Sequence, residues 1–510
     1  MITKVLKFFY LLLSLVIILT SIYIKNNFYD VSFEQLLNSV VKSEGTSFDA
    51  VLNGLIFVCV GIIIICILCI FLKRIINKFE YQFYFLIIIK KKKLKKVNIF
   101  PFSNFQKRLY CVLFFLTSIV FACYYLGVFE YLSQQSKKTT IFEDYYVDGK
   151  TISIEFPEKK RNLIYIFVES LENTNFTIDN GGVQKESYVP NLERYASNYI
   201  NFSNTNLLGG GISTTGTTWT IAGMIGQTAG IPLKLSIGNQ YKGYGEFLPG
   251  VYAIGDVFMD NGYKNYLMLG SDASYGGRRD YFTYHGNYEI YDYLWAKETN
   301  LIPDDYKEWW GYEDSKLFSY AKDKLTKISK NDEPFNFTIL TADTHFTDGY
   351  LDKSCPEKFD IKYANAFNCT DILLNDFLKW IIEQDFYDNT TIVISGDHLT
   401  MQNNFYEFDD NYVRTVYNAI INSAISTTNN KNRTFATFDM YPTTLAAMGI
   451  EIEGNRIGLG TNLFSDKKTL AEELSIKYIN KEFEKRSNYY NLHLLGDSYF
   501  ELAKKLGDDN

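Results

Sequence analysis

The residues best suited to chemistry in this 510-residue chain lie in Gly216-Thr-Thr-Trp-Thr220-Ile-Ala-Gly223. Glycine turns meet a packet of hydroxyls where an apolar, helix-like segment begins. Backbone N–H groups and side-chain oxygens would converge there on one point, a place for an anion. A threonine hydroxyl can attack in acyl or phosphoryl transfer only if a neighbouring base or a metal lowers its pKa. The competing reading is a Thr-rich turn with an N-capping threonine.

Candidate activators stand at the ends of apolar runs. Thr390-Thr-Ile-Val-Ile-Ser-Gly-Asp397-His398 delivers an oxygen and a nitrogen donor after a Gly turn, where a divalent cation could bind. Asn162-Leu-Ile-Tyr-Ile-Phe-Val168 ends in the same way at Glu169-Ser-Leu-Glu172. Glu169, Asp397 and His398 would make a site with an open position that Thr220 fills as the activated nucleophile. Histidine is scarce, at four residues, and His345 follows another apolar run in Thr341-Ala-Asp-Thr-His345. Its imidazole could protonate a leaving oxygen or hold a phosphate. His285 follows Gly276-Gly-Arg278-Arg279-Asp280, where the Arg279 guanidinium could either grip two phosphate oxygens or form a surface salt bridge.

Such residues need strands to carry them. The run at 162–168 is continuously apolar, as in strands covered on both faces, and ligand sites of open α/β sheets lie at carboxyl ends of strands. Further strands are expected at Lys264–Leu269, Phe335–Leu340 and Thr390–Ser395, with helices at Asp314–Ile328 and Asp371–Glu383 between them. That alternation predicts a single α/β domain of about 300 residues.

The first 130 residues differ from the rest. They hold 15 Lys+Arg against 6 Asp+Glu, whereas the whole chain carries −7, so the body is strongly acidic and no nucleic-acid partner is expected. Three apolar runs, at 8–24, Gly54–Leu72 and about 109–129, are long enough to span a bilayer. The first lacks a small-residue cleavage site and reads as an uncleaved anchor. A loop at about 73–108 with 11 Lys+Arg and one Glu, including Lys90–Lys93, is expected on the cytoplasmic side. Its apolar stretch Tyr81–Ile89 is too short to cross. Residues 25–53 then form an outer loop and everything after the third span is outside.

The predicted organisation is a three-helix transmembrane region at 1–129, a linker at 130–160, a catalytic body at 161–465 and a charged helical tail at 466–510. Five of seven cysteines lie in apolar runs. Cys355 and Cys369 alone belong to the polar body and suit a disulfide in an oxidising compartment.

The segments around Glu169, Thr220 (with Gly230-Ile-Pro-Leu233), Asp343-Thr-His345 and Asp397-His398 occur in an order that resembles membrane phosphoglycerol transferases. These are relatives of lipoteichoic acid synthase within the alkaline phosphatase/sulfatase superfamily. Trp310-Gly-Tyr-Glu-Asp314 and Gly458-Leu-Gly460 also fit, so the resemblance covers roughly 160–465 and is nearest to the phosphoglycerol transferase I type.

It implies a sulfatase-like α/β ectodomain with a central, mostly parallel sheet, preceded by transmembrane helices in a bacterial inner membrane. It also implies a metal-bound threonine that attacks phosphatidylglycerol and releases diacylglycerol. A sugar hydroxyl of a periplasmic or surface glycan then resolves the phosphoglyceryl-threonine. The family's metal ligands map onto Glu169, Thr220, Asp397 and His398, its substrate-side residues onto His345 and Trp310, and its phosphate-side arginine onto Arg279. The mixed carboxylate, imidazole and alkoxide set suits Mn²⁺ or Zn²⁺ somewhat better than Mg²⁺. The large additional C-terminal region of some glucan-modifying relatives is not expected here. A phosphoethanolamine transferase is the nearest alternative, and a non-catalytic glycan-binding module the alternative from another class. A formylglycine sulfatase would need a Cys/Ser-x-Pro-x-Arg context, which the sequence lacks.

Overall fold

Alternate residues of the apolar run at 162–168 point to opposite sides of one strand, and both sides are covered. Leu163, Tyr165 and Phe167 enter one hydrophobic cluster, while Ile164, Ile166 and Val168 enter another. The structure, a computed structural model, describes residues 2–27, 33, 36, 48–80, 104–234, 246–409 and 411–496. Two compact units make up the chain, residues 1–33 with 46–131, and residues 34–45 with 132–510.

In the first unit the apolar runs form helices α1 (Ile2–Asn27), α2 (Phe48–Glu80) and α3 (Asn104–Tyr125). Each contains a stretch long and apolar enough to cross a membrane: Val5–Asn26, Gly54–Phe71 and Arg108–Tyr125. Gly61 of α2 lies against Leu19 of α1, and the Tyr10 ring is 5.5 Å from Phe115 of α3. Tyr81–Ile89, the Lys90–Lys93 run, most of the expected outer loop and residues 497–510 lie outside the described residues.

The second unit is built on a six-stranded sheet. Its strands are β1 (Asn162–Val168), β2 (Lys264–Leu269), β3 (Glu289–Tyr291), β4 (Phe335–Leu340), β5 (Thr390–Gly396) and β6 (Asn418–Ile421). The spatial order is β3-β2-β4-β1-β5-β6, parallel throughout except for β6, which runs antiparallel to β5 at the edge. Helices α4 (Pro190–Asn198), α8 (Asp314–Ile328) and α9 (Lys362–Ile382) pack through Leu192, Leu317 and Leu374 with the cluster that holds Ile164. Helices α5 (Thr220–Ala229), α6 (Ile254–Asp260), α7 (Arg278–Tyr284) and α10 (Met440–Ala447) pack with the other through Ile225, Val257, Phe282 and Leu445. This is the α/β architecture with a mostly parallel central sheet that the resemblance implies. Helix α9 starts nine residues before its expected position because its first turns carry buried Asn365, Asn368 and Asp371, which break the apolar signal.

Register fixes what the strand ends present. Val168 pairs with Gly396, and Phe167 with Leu340. Glu169 and Asp397 therefore leave adjacent strands at the same level, and Thr341 leaves a third strand one residue earlier.

Residues 136–156, expected as part of a linker, fold into the second unit. Phe142 is fully buried, its ring 5.8 Å from Phe483 and 5.1 Å from Tyr490, and Ile154 pairs with Ile452. The polar composition around it hides this short apolar anchor. The tail is not one helix either. Ser475, at φ 71°, separates α11 (Leu470–Leu474) from α12 (Ile476–Phe483), and a π-type turn follows at Tyr490–Leu494.

Candidate active site

Thr220 is the first residue of α5 and Trp219 its N-cap, with no side-chain cap bond. The competing reading, an N-capping threonine, does not describe Thr220. Its hydroxyl donates to Glu169 Oε2 at 3.2 Å and stands 3.5 Å from His398 Nε2. The neighbouring threonine at 217 is spent inside the turn, where its hydroxyl donates to the Thr214 carbonyl and accepts from the Thr214 amide. The first-turn amides, which an α-helix leaves without intrahelical acceptors, lie at the end that Thr220 occupies.

Glu169, Asp397 and His398 are all buried, with ligand atoms within 4.8 Å of one another. His398 Nε2 lies 3.3 Å from Glu169 Oε1 and 3.4 Å from Asp397 Oδ2. The carboxylates are held from behind. Ser170, a non-glycine residue at φ 57°, donates its hydroxyl to Glu169 Oε1 at 2.8 Å and its amide to Asp397 Oδ1 at 2.7 Å. Thr341 Oγ1 accepts the Glu169 amide at 3.0 Å, and Thr344 donates to the Glu169 carbonyl. The Leu399 carbonyl takes the His398 Nδ1 proton at 2.7 Å, so Nε2 is the nitrogen aimed at the acids.

The electrostatics of this cluster call for a cation. Burial opposes charge on His398, but Asp397 and Glu169 outweigh it and push the imidazole up to about 9. Burial, reinforced by Glu169, raises Asp397 to about 8. Burial also opposes the Glu169 carboxylate, yet His398 and then His345 hold it well below the ordinary range. Asp397 Oδ2 accepts no hydrogen bond among the described residues. Two acids, an imidazole nitrogen and a hydroxyl around one point, with a buried carboxylate oxygen left over, fit a divalent metal.

His345 lies on the loop after β4. Its Nδ1 proton goes to the Phe346 carbonyl at 2.6 Å, and burial lowers its pKa, with Glu169 opposing. With Nδ1 committed to that carbonyl, Nε2 is the ring nitrogen left for a substrate group. Trp310 packs 4.6 Å from the His345 ring and 5.6 Å from Tyr275.

The arginine expected from sequence is not the one that turns inward. Arg279 is 37% exposed and forms an ion pair with the buried Asp292. Its neighbour Arg278 is buried, lies 5.5 Å over the Tyr275 ring and donates to the Asp272 carbonyl at 2.8 Å. Its Nε has no hydrogen-bond partner among the described residues, and Glu169 is among the charges acting on it. His285 is committed elsewhere, between Asp256 Oδ2 at 2.7 Å and the Phe247 carbonyl at 2.6 Å. Cys355 and Cys369 form a disulfide, Cα–Cα 5.4 Å.

Comparison with known proteins gives the fold a family. A family profile described as Sulfatase matches residues 161–450. A protein of Xanthomonas campestris pv. campestris named phosphoglycerol transferase I is 31% identical over 272 residues, which take in 52% of this chain and 36% of that protein. The match thus spans about a third of the length of that relative. Among solved structures, the lipoteichoic acid synthase LtaP from Listeria monocytogenes aligns at 18% identity over 62% of this chain and 79% of that one, with a TM-score of 0.44. The integral membrane lipooligosaccharide phosphoethanolamine transferase A from Neisseria meningitidis aligns at 14% identity over 86% and 84%, with a TM-score of 0.49.

Proposed function

The chain belongs to the sulfatase family, and from that premise we propose that it transfers phosphoglycerol from phosphatidylglycerol to a periplasmic or cell-surface glycan, with Thr220 as nucleophile. The observation that carries this reading is the Thr220 hydroxyl bonded to Glu169 at 3.2 Å within a buried Glu/Asp/His cluster. An unassisted threonine is too weakly acidic to attack a phosphodiester. The relative named for phosphoglycerol transfer supports the choice of donor.

Glu169, Asp397 and His398 would hold the metal together with Thr220 Oγ. When bound, a divalent ion lowers the hydroxyl pKa and offsets charge on the phosphoryl oxygens. The remaining work falls to the chain. Thr220 Oγ forms the bond to phosphorus, its proton passing toward Glu169, and the phosphorus–oxygen bond to diacylglycerol breaks. That leaves phosphoglyceryl-Thr220 and diacylglycerol, whose oxygen takes a proton from solvent as the bond breaks. The amides of the first turn of α5 and the Arg278 guanidinium stabilise the negative oxygens. In the second half His345 Nε2 takes the proton of an acceptor hydroxyl and passes it to solvent, the acceptor oxygen bonds to phosphorus, the bond to Thr220 Oγ breaks, and Glu169 returns its proton to that oxygen, which regenerates the site. The three apolar helices keep the chain beside its lipid donor, with the body outside the cytoplasm.

Incubating purified protein with labelled phosphatidylglycerol tests the reading. Diacylglycerol should appear, stop on adding a chelator and return with Mn²⁺ or Zn²⁺. Mass analysis of the Thr220 peptide should show a phosphoglycerol adduct. An adduct formed only from phosphatidylethanolamine, with phosphoethanolamine mass, would transfer the assignment to the other donor.

A further inference from the structure

The C-terminal segment grips the turn that delivers Thr220 from two sides. On entry, Asn480 of α12 accepts the Thr215 amide through Oδ1 at 2.9 Å. On exit, the buried Tyr490 hydroxyl donates to the Pro232 carbonyl at 3.1 Å and accepts the Lys234 amide at 3.0 Å. The Lys234 ammonium donates to the Phe483 and Lys485 carbonyls at the carboxyl end of α12, where a cation is favoured.

These grips act on one rigid object. The Leu233 amide donates to the Gly216 carbonyl at 2.8 Å, closing the segment around α5. Gly216 adopts φ 81°, and a Cβ there would lie 2.8 Å from Pro232, so the closure has no slack. The gripping segment is itself fixed: the Thr139 amide donates to the Arg486 carbonyl and the Arg486 amide to the Lys137 carbonyl, each at 3.0 Å.

We infer that α12 and the turn after it are a positioning device for the nucleophile, with Asn480 as the residue that sets the approach of the Thr220 segment to Glu169 and His398. The inference rests on Thr220 being the nucleophile. Asn480 itself touches none of the reacting groups. A displacement of about 1 Å at a reacting atom is enough to lower turnover on the order of a hundredfold.

The test uses the full chain in detergent with Asn480→Leu, which removes the acceptor, and Asn480→Asp, which keeps one. In the Leu variant, exchange of the Thr215 amide with deuterium should quicken about tenfold, as loss of one hydrogen bond allows, while amides of β1 and β5 are unchanged. Turnover of phosphatidylglycerol should drop about tenfold or more at unchanged KM, and the Asp variant should restore both. Tyr490→Phe, which keeps the ring and loses both exit contacts, should act in the same direction and covers the case of an Asn480→Leu chain that does not fold. If wild-type protein releases no diacylglycerol, the functional reading falls and exchange still decides the grip. Unchanged Thr215 exchange, or wild-type turnover in an Asn480→Leu chain whose parent is active, overturns the inference.

Discussion

Gly223 of α5 lies so close to Asp397 that a Cβ built on it would sit 2.1 Å from the Asp397 carbonyl oxygen. The helix that presents Thr220 is thus in backbone contact with the segment that presents the acid and imidazole. Gln227, one turn further, donates to the Gly396 carbonyl at 2.7 Å. The absence of a side chain at 223 is what lets the hydroxyl reach the cluster. Gly223→Ala must push α5 away from β5. Overpacking against backbone costs about 1–3 kcal/mol, and Thr220 leaves its place. We expect a lower melting temperature together with loss of most turnover. An alanine variant with wild-type turnover would show that α5 can shift without consequence.

Thr220→Ala separates chemistry from architecture. Its hydroxyl donates only to Glu169 and caps nothing. The variant should lose turnover on the order of a thousandfold or more, form no covalent adduct and keep a bound metal by elemental analysis. Because the hydroxyl at 217 is committed within its own turn, adduct formation should not move there. Thr220→Ser should retain measurable transfer. An adduct on another threonine in the Ala variant would reassign the nucleophile.

The two neighbouring arginines should behave differently. Arg278→Met removes a buried, partly unpaired guanidinium near the cluster, and turnover should fall about a hundredfold, the range of one lost stabilising donor. Arg279→Met breaks a half-exposed pair and leaves Asp292 buried without its partner. Asp292 still accepts the Trp295 and Ala273 amides, so the loss should appear in melting temperature more than in turnover. The reverse pattern in steady-state kinetics would return the phosphate-side role to Arg279.

That contrast also shows what the sequence could and could not convey. Two guanidinium groups after Gly-Gly are equivalent as a motif. The inward one is distinguished by sharing a helical face with buried Tyr281 and Phe282, three and four residues on. Glu169, Asp397 and His398 were visible because each directly follows an apolar strand, and the parallel register then makes strand ends neighbours. Ser170 was not, because its value lies in a left-handed backbone that aims its amide at Asp397. The grip of Asn480 on Thr215 joins residues 265 apart. Neither composition nor spacing encodes such a contact, and the pattern of the tail indicates only a charged helix.

A last expectation concerns pH and a pair of acids beneath the His345 loop. The Asp314 carboxylate accepts the Ala342 and Asp343 amides, and Asp343 Oδ2 accepts the Asp314 amide at 3.0 Å. Burial raises Asp314 to about 7, and burial followed by Asp314 raises Asp343 well above the usual carboxylate range. The folded chain therefore keeps protons that the unfolded chain releases near pH 4. With more protons bound in the folded state, stability falls as pH rises: the contribution is whole below about pH 4 and lost through about pH 7 and above. Asp343→Asn keeps an acceptor for the Asp314 amide and carries no charge at any pH. With metal removed by chelator, the wild-type melting temperature should decline from pH 5 to 8 more steeply than that of the variant, the gap at pH 8 reaching at least about 2 °C. His398 and the other groups titrate in both proteins and cancel in the difference. Parallel curves would mean that Asp343 is ionised in the folded chain at neutral pH, and the acid pair would then need a compensating cation.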